Sequence, residues 1–479
     1  MLFNSIDFAI FLPIVLIIYW FLTNKNLRLQ NLLIVVASYV FYGWWDWRFL
    51  SLILFSTAVD FSVGIGLATE ENRTKRKILL WTSIIVNLGF LGFFKYYNFF
   101  LDNFIEAFSL FGYPIKSNSL NIILPVGISF YTFQTLSYTI DVYKRKLKPT
   151  RDIIAFAAFV SFFPQLVAGP IERATNLLPQ FYKKRTFDYA KAADGMRQIL
   201  WGLIKKIVIA DNAAEYANLI FNNSADFSGS TLALGAVFFA FQIYGDFSGY
   251  SDIAIGTARL FGFDLMKNFA FPYFSRDIAE FWRRWHISLS TWFRDYLYIP
   301  LGGSKGGTWM KVRNTFIIFI VSGFWHGANW TFIVWGALNA IYFLPSLLLK
   351  TNRRYLGVVA NGKYLPSIRE FFNISVTFAL TTFAWIFFRA DNMSHAWNYI
   401  SELFSSSLFV SPEEIPIKLI VLIVLFQIVE WLGRDSEFAI QKLVKVRPLI
   451  ARYAIYYILI MILILYSSDL EQTFIYFQF

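Results

Sequence analysis

One stretch decides how the rest of the chain is interpreted, and it reads Ser322-Gly-Phe-Trp-His-Gly-Ala-Asn-Trp-Thr-Phe-Ile-Val-Trp-Gly336. It places His326 inside a run of apolar, small and aromatic residues. An imidazole titrates near neutral pH and can accept or release a proton. Because an ionisable group is costly inside a bilayer, such a residue is a functional candidate. His326 is one of three histidines in the chain. We predict that it is catalytic, with Trp325 and Asn329 in supporting roles.

The composition indicates a membrane protein. Hydrophobic residues make up 57% of the 479-residue chain, whereas a soluble domain is nearer ~45–50% apolar. This composition predicts an all-α polytopic membrane protein, with roughly ten or more spans at ~20 residues each. A β-barrel is disfavoured, because the apolar runs are continuous rather than alternating.

The cysteine content and the net charge limit the kinds of site and partner that the chain can have. The chain contains no cysteine, which excludes disulfide bonds, thiolate metal sites and an acyl-cysteine intermediate. Any thioester sulfur must therefore come from a partner molecule, and we expect no metal site and no bound cofactor. We attribute the net charge of +12 to cytoplasmic loops rather than to nucleic-acid binding, because cytoplasmic loops of membrane proteins are enriched in Lys and Arg.

The distribution of charge predicts a topology. Basic loops at 23–30, 69–77, 144–151 and 350–369 fall on one side, which the positive-inside rule makes cytoplasmic. The amino terminus, the acidic loop 391–416 and the tail from Asp469 then lie outside. The predicted spans are 6–22, 32–45, 49–67, 78–94, 121–141, 371–388, 417–432 and 453–466.

The middle of the chain, residues 152–312, does not show the long apolar runs of the predicted spans. Its apolar runs are short and are interrupted by Pro164, Gly169-Pro170, Gly245 and Gly249. Broken helices at membrane depth are tolerated only where they are buried or line a cavity. This region therefore predicts short broken helices around a central cavity, surrounded by the better-formed outer helices.

A second histidine, His286, lies in a basic and aromatic stretch that we predict to be one helix, 281–297. Five of its residues recur at helical spacing and share one face: Trp282, His286, Leu289, Phe293 and Tyr296. This pattern is typical of a basic amphipathic helix at a membrane surface. The imidazole of His286 is then expected to point inward. Spacing alone leaves open that His286 is a core histidine bonded to a backbone carbonyl.

The segment before His326 predicts a break in a span. Asn314–Phe324 covers roughly half of a ~30 Å hydrocarbon core at ~1.5 Å per residue. The break at 323–329 is therefore expected near the middle of the membrane, with His326 in it. The alternative is a structural histidine held by helix packing.

Three further ionisable residues have open interpretations. Asp246 and Asp252 lie in an apolar stretch, where they either orient a histidine or partner an arginine, or form ion pairs within the bundle. His395 lies in the acidic external loop and is expected to be a solvated surface histidine.

Two long motifs resemble the membrane-bound O-acyltransferase family, in the bacterial branch that includes the alginate O-acetyltransferase membrane subunit. They are 281–303, which begins Phe-Trp-Arg-Arg-Trp-His, and 323–336. Stretches 159–173, 246–263 and 474–479 are similar to the same branch. The resemblance covers essentially the whole chain, so we expect a single domain, 1–479, with core motifs at 159–349.

This resemblance implies a ring of roughly ten to twelve transmembrane helices around a central funnel, in the bacterial inner membrane. It implies that His326 matches the family's essential histidine and His286 the second one. It further implies transfer of an acyl group, foremost acetyl, from a cytoplasmic thioester donor, acetyl-CoA or an acyl carrier. The acceptor that the resemblance implies is a hydroxyl of an exported polysaccharide, or a periplasmic or membrane-anchored acetyltransferase partner.

A mechanism for this reaction can be argued physically. Neutral His326 removes the hydroxyl proton as oxygen attacks the thioester carbonyl. His286 and nearby backbone N–H groups stabilise the oxyanion or hold a carrier phosphate. Arg283, Arg284 and Arg294 are expected to bind a donor phosphate at the cytoplasmic mouth.

Two other functions stay open. The narrower one is D-alanyl transfer to teichoic acid by a related enzyme. The other class is a proton-coupled transporter with the histidines as a relay, although the inverted repeats typical of transporters are not evident.

Overall fold

The structure is a computed structural model that describes residues 1–110, 120, 122–125, 127–167, 169–467 and 474–475. Within these residues the chain is helical and forms no β-strand. The first half contains α1 Ile6–Ile17, α2 Leu27–Asp46, α3 Leu50–Thr69, α4 Arg73–Leu91, α5 Tyr97–Leu110, α6 Ile128–Tyr143, α7 Ile153–Ser161, α8 Phe163–Leu166, α9 Ala174–Leu177, α10 Tyr189–Leu203, α11 Asn212–Asn222 and α12 Gly229–Leu260. The second half contains α13 Ile278–Arg284, α14 Ile287–Phe293, α15 Thr308–His326, α16 Trp330–Leu348, α17 Ile368–Arg389, α18 Met393–Leu403, α19 Ile417–Gly433 and α20 Leu449–Leu465.

In the described part of the chain, five segments are long and apolar enough to cross a membrane: Leu27–Thr69, Arg73–Ser109, Gly229–Leu260, Trp330–Leu348 and Ile368–Arg389. The first contains α2 and α3, which have 20 residues each, and a helix of that length matches a ~30 Å core. Ile6–Leu22, Ile153–Leu166 and Leu449–Leu465 are shorter apolar helices. The chain is thus a multi-pass helical membrane protein by length and composition, and the predicted ten to twelve helices are not confirmed.

Two predicted segments extend beyond the described residues. Of the tail that begins at Asp469, the structure describes Phe474 and Ile475, whereas 469–473 and 476–479 lie outside the described residues. The predicted span 121–141 includes positions 121 and 126, which are also not described. Residues 128–141 of this predicted span lie in α6, whereas 122–125 are not helical.

The chain divides into two compact units, one of residues 1–192 with 257–266 and the other of residues 193–256 with 267–479. In unit 1, helices α3, α4 and α6 share a buried polar cluster. The Asp60 carboxylate accepts hydrogen bonds from Ser83, from Asn87 at 2.9 Å and from Thr139 at 3.1 Å. Such bonds join helices whose other contacts are apolar.

In unit 2, α15 and α16 pack closely because a glycine of each helix faces the backbone of the other. A Cβ atom on Gly323 would lie 2.1 Å from the carbonyl oxygen of Phe332, and one on Gly336 would lie 2.3 Å from that of Phe319. Small residues allow helix backbones to approach in this way. The contact sets the position of the end of α15, where His326 lies.

The prediction of breaks in the middle of the chain is confirmed at Pro164 and at Gly169-Pro170, which lies outside the helices between α8 and α9, and it is wrong at Gly245 and Gly249. Pro164 lies in the first turn of α8, which follows the end of α7 at Ser161. Gly245 and Gly249, in contrast, lie inside the continuous 32-residue helix α12. A Cβ atom on Gly249 would lie 2.7 Å from the carbonyl oxygen of Gly202, so this glycine serves close packing rather than a break.

The predicted helix 281–297 is also wrong. It is divided at Trp285, which is extended, and at His286, which has φ 42° and ψ 55°. The left-handed conformation cannot continue a helix. Asn314–Phe324 is part of a longer helix than expected, because α15 begins at Thr308 and has 19 residues, or about 28 Å. α15 is nevertheless not among the five described segments that are long and apolar enough to cross a membrane. The break falls after it, at 327–329.

Candidate active site

His286 is held by Asn268, from the irregular segment before α13. Nδ1 of His286 lies 3.0 Å from Oδ1 of Asn268. The same oxygen accepts a hydrogen bond from Oγ of Ser288 at 2.9 Å, and the backbone N–H of Ser288 lies 3.4 Å away. Nδ2 of Asn268 donates to Oγ of Ser251 at 3.0 Å. Because a backbone N–H can only donate, these partners identify the atom facing His286 as the amide oxygen.

This arrangement selects the tautomer of His286. With Oδ1 of Asn268 as acceptor, Nδ1 of His286 carries the proton, and Nε2 carries the lone pair. Nε2 is buried and has no hydrogen-bond partner among the described residues. Burial lowers the pKa of His286 to about 3, so the imidazole is neutral at physiological pH. The ring thus presents a hydrogen-bond-accepting nitrogen to whatever group enters the site.

His326 is the last residue of α15 and is 4% exposed. Its ring centroid lies 6.4 Å from that of His286. At this separation both rings can contact one substrate group. The surrounding walls are aromatic, with ring centroids 4.9–5.2 Å from His326 for Trp325, Trp335 and Phe388. Two buried imidazoles therefore lie close together among aromatic rings, where polar interactions are strengthened.

Trp325 and Asn329, predicted to support His326, occupy different positions. The Trp325 ring lies beside both histidines, with its centroid 6.0 Å from that of His286 and 4.9 Å from that of His326. Asn329 caps the first turn of α16 by accepting from the N–H of Thr331 at 3.0 Å. It also donates to the carbonyl of Asp391 at 2.7 Å. Asn329 thus terminates the break that follows His326.

Asp246 and Asp252 form ion pairs with lysines rather than contacting a histidine or an arginine. Asp252 lies 2.9 Å from Lys205 and accepts a hydrogen bond from Gln198, and Asp246 lies 2.8 Å from Lys206. The backbone N–H of Ile475 donates to Asp246 at 2.6 Å. Of the two interpretations left open by the sequence, the ion pairs within the bundle are the ones observed.

These lysines and Asn268 were missed at the sequence level. Lys205 and Lys206 interrupt an apolar run, and two buried cations in such a run are a detectable signal. Each has a second acidic neighbour, Glu430 at 3.6 Å and Asp211 at 2.7 Å respectively. Asn268 carries no comparable signal, because its partner His286 is 18 positions away and the segment between them has no regular period.

Two of the predicted donor-binding arginines contact protein acceptors. Arg283 donates to the carbonyls of Asn352 and Tyr355 at 2.6 and 2.7 Å. Arg284 pairs with Glu280 at 2.9 Å and donates to the carbonyl of Ala270. These bonds attach α13 to neighbouring loops.

The third, Arg294, is exposed at the surface. Its side chain is 59% exposed and pairs with Asp295 at 2.8 Å. Of the three arginines it is the one that a soluble ligand reaches most easily.

His395 is not the solvated histidine that was expected. Its side chain is 15% exposed and lies 3.3 Å from Asp391 and 3.3 Å from Ser224. It belongs to α18 and plays no part in the site at His286 and His326. Over the residues that the structure describes, no group of three or more His, Asp or Glu side chains is arranged to hold a metal ion.

Comparisons with known proteins identify the family of the chain. A model of the membrane-bound O-acyltransferase family matches residues 144–385. A Pseudomonas aeruginosa protein named "Probable alginate O-acetylase AlgI" is 42% identical over 409 residues, which cover 85% of this chain and 75% of the relative. The peptidoglycan O-acetyltransferase of Helicobacter pylori is 36% identical over 83% of this chain and 78% of the relative. The teichoic acid D-alanyltransferase of Bacillus subtilis is 29% identical over 57% of this chain and 71% of the relative. The chain therefore belongs to the membrane-bound O-acyltransferase family and is an acyltransferase.

Proposed function

We propose that this enzyme transfers an acetyl group from a cytoplasmic thioester, acetyl-CoA or an acyl carrier, to a hydroxyl of an exported polysaccharide. The transfer is direct, or it passes through a periplasmic or membrane-anchored acetyltransferase partner. The observation that carries the proposal is the buried pair His286 and His326, with ring centroids 6.4 Å apart. Alginate is the first acceptor to test, because relatives named as alginate O-acetylases are 42% identical to this chain.

The reaction places a proton on His326. A hydroxyl is a weak nucleophile until a neighbouring base accepts its proton. The acceptor oxygen bonds to the thioester carbonyl carbon, and the carbon–sulfur bond breaks. The proton passes from the hydroxyl to His326 and then to the departing thiolate. The aromatic walls around His326 limit water, which would otherwise hydrolyse the thioester.

The tautomer selected by Asn268 narrows the role of His286. In that tautomer Nε2 accepts a hydrogen bond, so it holds the acceptor hydroxyl or the donor's amide N–H in place. Stabilisation of an oxyanion by His286 requires a proton on Nε2 and hence the other tautomer. We therefore assign His286 to binding and orientation.

The proposal includes the architecture that the resemblance implies. The chain acts as a single membrane domain, 1–479, whose ten to twelve spans surround a funnel in the bacterial inner membrane. Arg283, Arg284 and Arg294 border its cytoplasmic mouth, with Arg294 as the foremost contact for a donor phosphate because its side chain is 59% exposed.

D-alanyl transfer to teichoic acid is the second candidate. It is supported by the similarity to the D-alanyltransferase, which is 29% identical over 57% of this chain. The longer and closer match to acetyltransferases favours acetyl. Membership in an acyltransferase family argues against the transporter.

The test uses purified full-length protein in detergent, with acetyl-CoA labelled in the acetyl group and alginate oligomers as acceptor. Because the chain has no cysteine, a thiol reagent reports only thiol released from the donor. We expect thiol release together with ester-linked label on the oligomer, both lost in His326→Ala. Consumption of a D-alanyl carrier thioester instead of the acetyl donors would favour the second candidate. No turnover of any thioester by folded protein, with membrane extracts added to supply a partner, would remove the proposal.

A further inference from the structure

Unit 1 contains a cavity of about 590 Å³ that is built from residues outside the histidine site. Its lining comes from Trp20, from segment 175–191 and from segment 259–264. Five of the lining residues are cationic and two are acidic: Lys183, Lys184, Arg185, Lys191, Arg259, Asp188 and Asp264. The excess of positive charge predicts an anionic ligand.

Two of these cations interact with other residues of the protein. Lys191 pairs with Asp264 at 2.8 Å. Arg185 is buried, donates to Gln30 and Asn31, and lies 4.9 Å from the ring of Phe263. These interactions hold the cavity wall in place.

Lys183 and Lys184 differ from them. Both are exposed, and neither has an ion pair with any residue that the structure describes. Both line the cavity, so their charges are available to a ligand.

Part of the cavity wall is held by hydrogen bonds between a side chain and the backbone. The amide of Gln180 donates to the carbonyl of Asp264 at 2.9 Å and accepts from its N–H at 2.9 Å. Asn176, another lining residue, donates to buried Glu172 at 2.8 Å. A ligand entering this space therefore meets preformed walls.

The position of Trp20 relates the cavity to the membrane. Trp20 lies in the π-helical turn Ile18–Leu22 that continues α1. One face of α1 is apolar and exposed, with Ile10, Ile14 and Ile17 at 58%, 53% and 57% exposure. In the turn itself, Phe21 and Leu22 are 78% and 72% exposed. The indole of Trp20 donates to the carbonyl of Leu260 at 3.0 Å and meets the exposed ring of Phe187 edge-on. Aromatic residues between an apolar helix and a group of cations are typical of the headgroup level of a bilayer.

We propose that this cavity binds the headgroup of an anionic phospholipid. The phosphate contacts Lys183 and Lys184, and the acyl chains lie along the exposed apolar face of α1. Basic pockets at membrane helices bind such headgroups. A soluble phosphate would use the same lysines, but it would leave the exposed apolar face of α1 without a role in binding.

The test is native mass spectrometry of the delipidated full-length protein, titrated with dioleoylphosphatidylglycerol or dioleoylphosphatidylcholine. We expect the first phosphatidylglycerol to bind roughly tenfold or more tightly than phosphatidylcholine, since it alone carries net charge. The double variant Lys183→Gln, Lys184→Gln should raise the Kd for phosphatidylglycerol about 30-fold, at the stabilisation expected per lysine. Binding of phosphatidylcholine should change little.

The matched control is Lys146→Gln, Lys148→Gln, which removes the same charge from exposed lysines in loop 144–151 that do not line the cavity. An equal loss of binding in this control would assign the effect to general surface charge and overturn the proposal. Equal affinity of the wild type for both lipids would do the same. Full displacement of phosphatidylglycerol by inorganic phosphate or coenzyme A would show that the cavity binds a soluble anion, and this result would overturn the proposal of a lipid site. Circular dichroism and gel filtration check that each variant is folded.

Discussion

Nδ1 of His286 lies 3.0 Å from Oδ1 of Asn268, and this bond leaves Nε2 of the imidazole as the hydrogen-bond acceptor of the ring. Asn268 therefore acts as a positioning residue for His286. It sets the tautomer, while the left-handed backbone at His286, with φ 42°, separates α13 from α14. Non-glycine residues in that conformation often lie at functional sites.

The first prediction concerns Asn268. Replacing it by Leu removes the acceptor for Nδ1–H, so kcat should fall about tenfold or more, the cost of an unpaired buried donor. Asn268→Asp keeps an acceptor and should retain more activity. Its carboxylate stabilises the imidazolium, so the acid limb of the pH–rate profile should move to higher pH. A merely structural role for Asn268 would leave that limb in place in Asn268→Asp.

The pH dependence of stability provides a control for the same site. The pKa of His286 is lowered from 6.5 to about 3 by burial, so the unfolded chain binds this proton more readily than the folded protein does. The stability contributed by the neutral ring is present above about pH 6.5 and is lost as pH falls toward 3. The melting temperature of His286→Gln should therefore fall less steeply than that of the wild type as the pH is lowered over this range. Parallel slopes would contradict the burial of a neutral imidazole.

The second prediction concerns the base. His326→Ala should lower acyl transfer by ~10²–10⁴, the usual cost of losing a positioned general base. His286→Ala should have a smaller effect, because we assign that residue to binding and orientation. The measurement is polymer acylation in cells, with membrane levels of each variant determined alongside. Near-normal acylation by well-expressed His326→Ala would remove the catalytic assignment.

The third prediction separates the arginines. Arg294→Gln should raise the KM for the thioester donor more than it lowers kcat, because an exposed cation that binds a donor phosphate contributes mainly uniform binding. Arg284→Gln should lower thermal stability by about 1–3 kcal/mol, since buried Glu280 and the carbonyl of Ala270 lose a donor. If donor KM is unchanged for Arg283, Arg284 and Arg294 variants alike, these residues only anchor the structure.

The fourth prediction concerns the packing that positions His326. Gly323→Ala places a methyl group 2.1 Å from the carbonyl oxygen of Phe332, so α15 and α16 must separate, at a cost of about 1–3 kcal/mol or more. Activity should fall with stability, because His326 is three positions further along α15. Gly89→Ala is the matched control, since a Cβ at Gly89 in α4 meets nothing within 4 Å. Equal melting temperatures for the two variants would refute the close contact.

The fifth prediction is topological. Loops 69–77, 144–151 and 350–369 should be cytoplasmic, and loop 391–416 should be external, as the positive-inside rule indicates. Single cysteines introduced into this cysteine-free chain can be labelled with an impermeant reagent added from either side. Labelling of a cysteine in 391–416 only from the cytoplasm would reverse the assignment.

The sequence by itself determined that the protein is a helical membrane protein and that His326 and His286 are the residues to examine. The reason is that the cost of placing a side chain in lipid depends on the residue itself and its near neighbours in the chain. A histidine in an apolar run is therefore visible without any structure.

Only the tertiary structure decided how the two histidines are held. The partners of the ionisable groups come from distant positions, as with Asn268 for His286 and Lys205 for Asp252. Local periodicity carries no information about such pairs, and the helix expected across 281–297 was wrong for the same reason. The break at Trp285 and His286 is stabilised by contacts from outside that stretch, where Ile287 donates its N–H to the carbonyl of Asn268 at 2.9 Å.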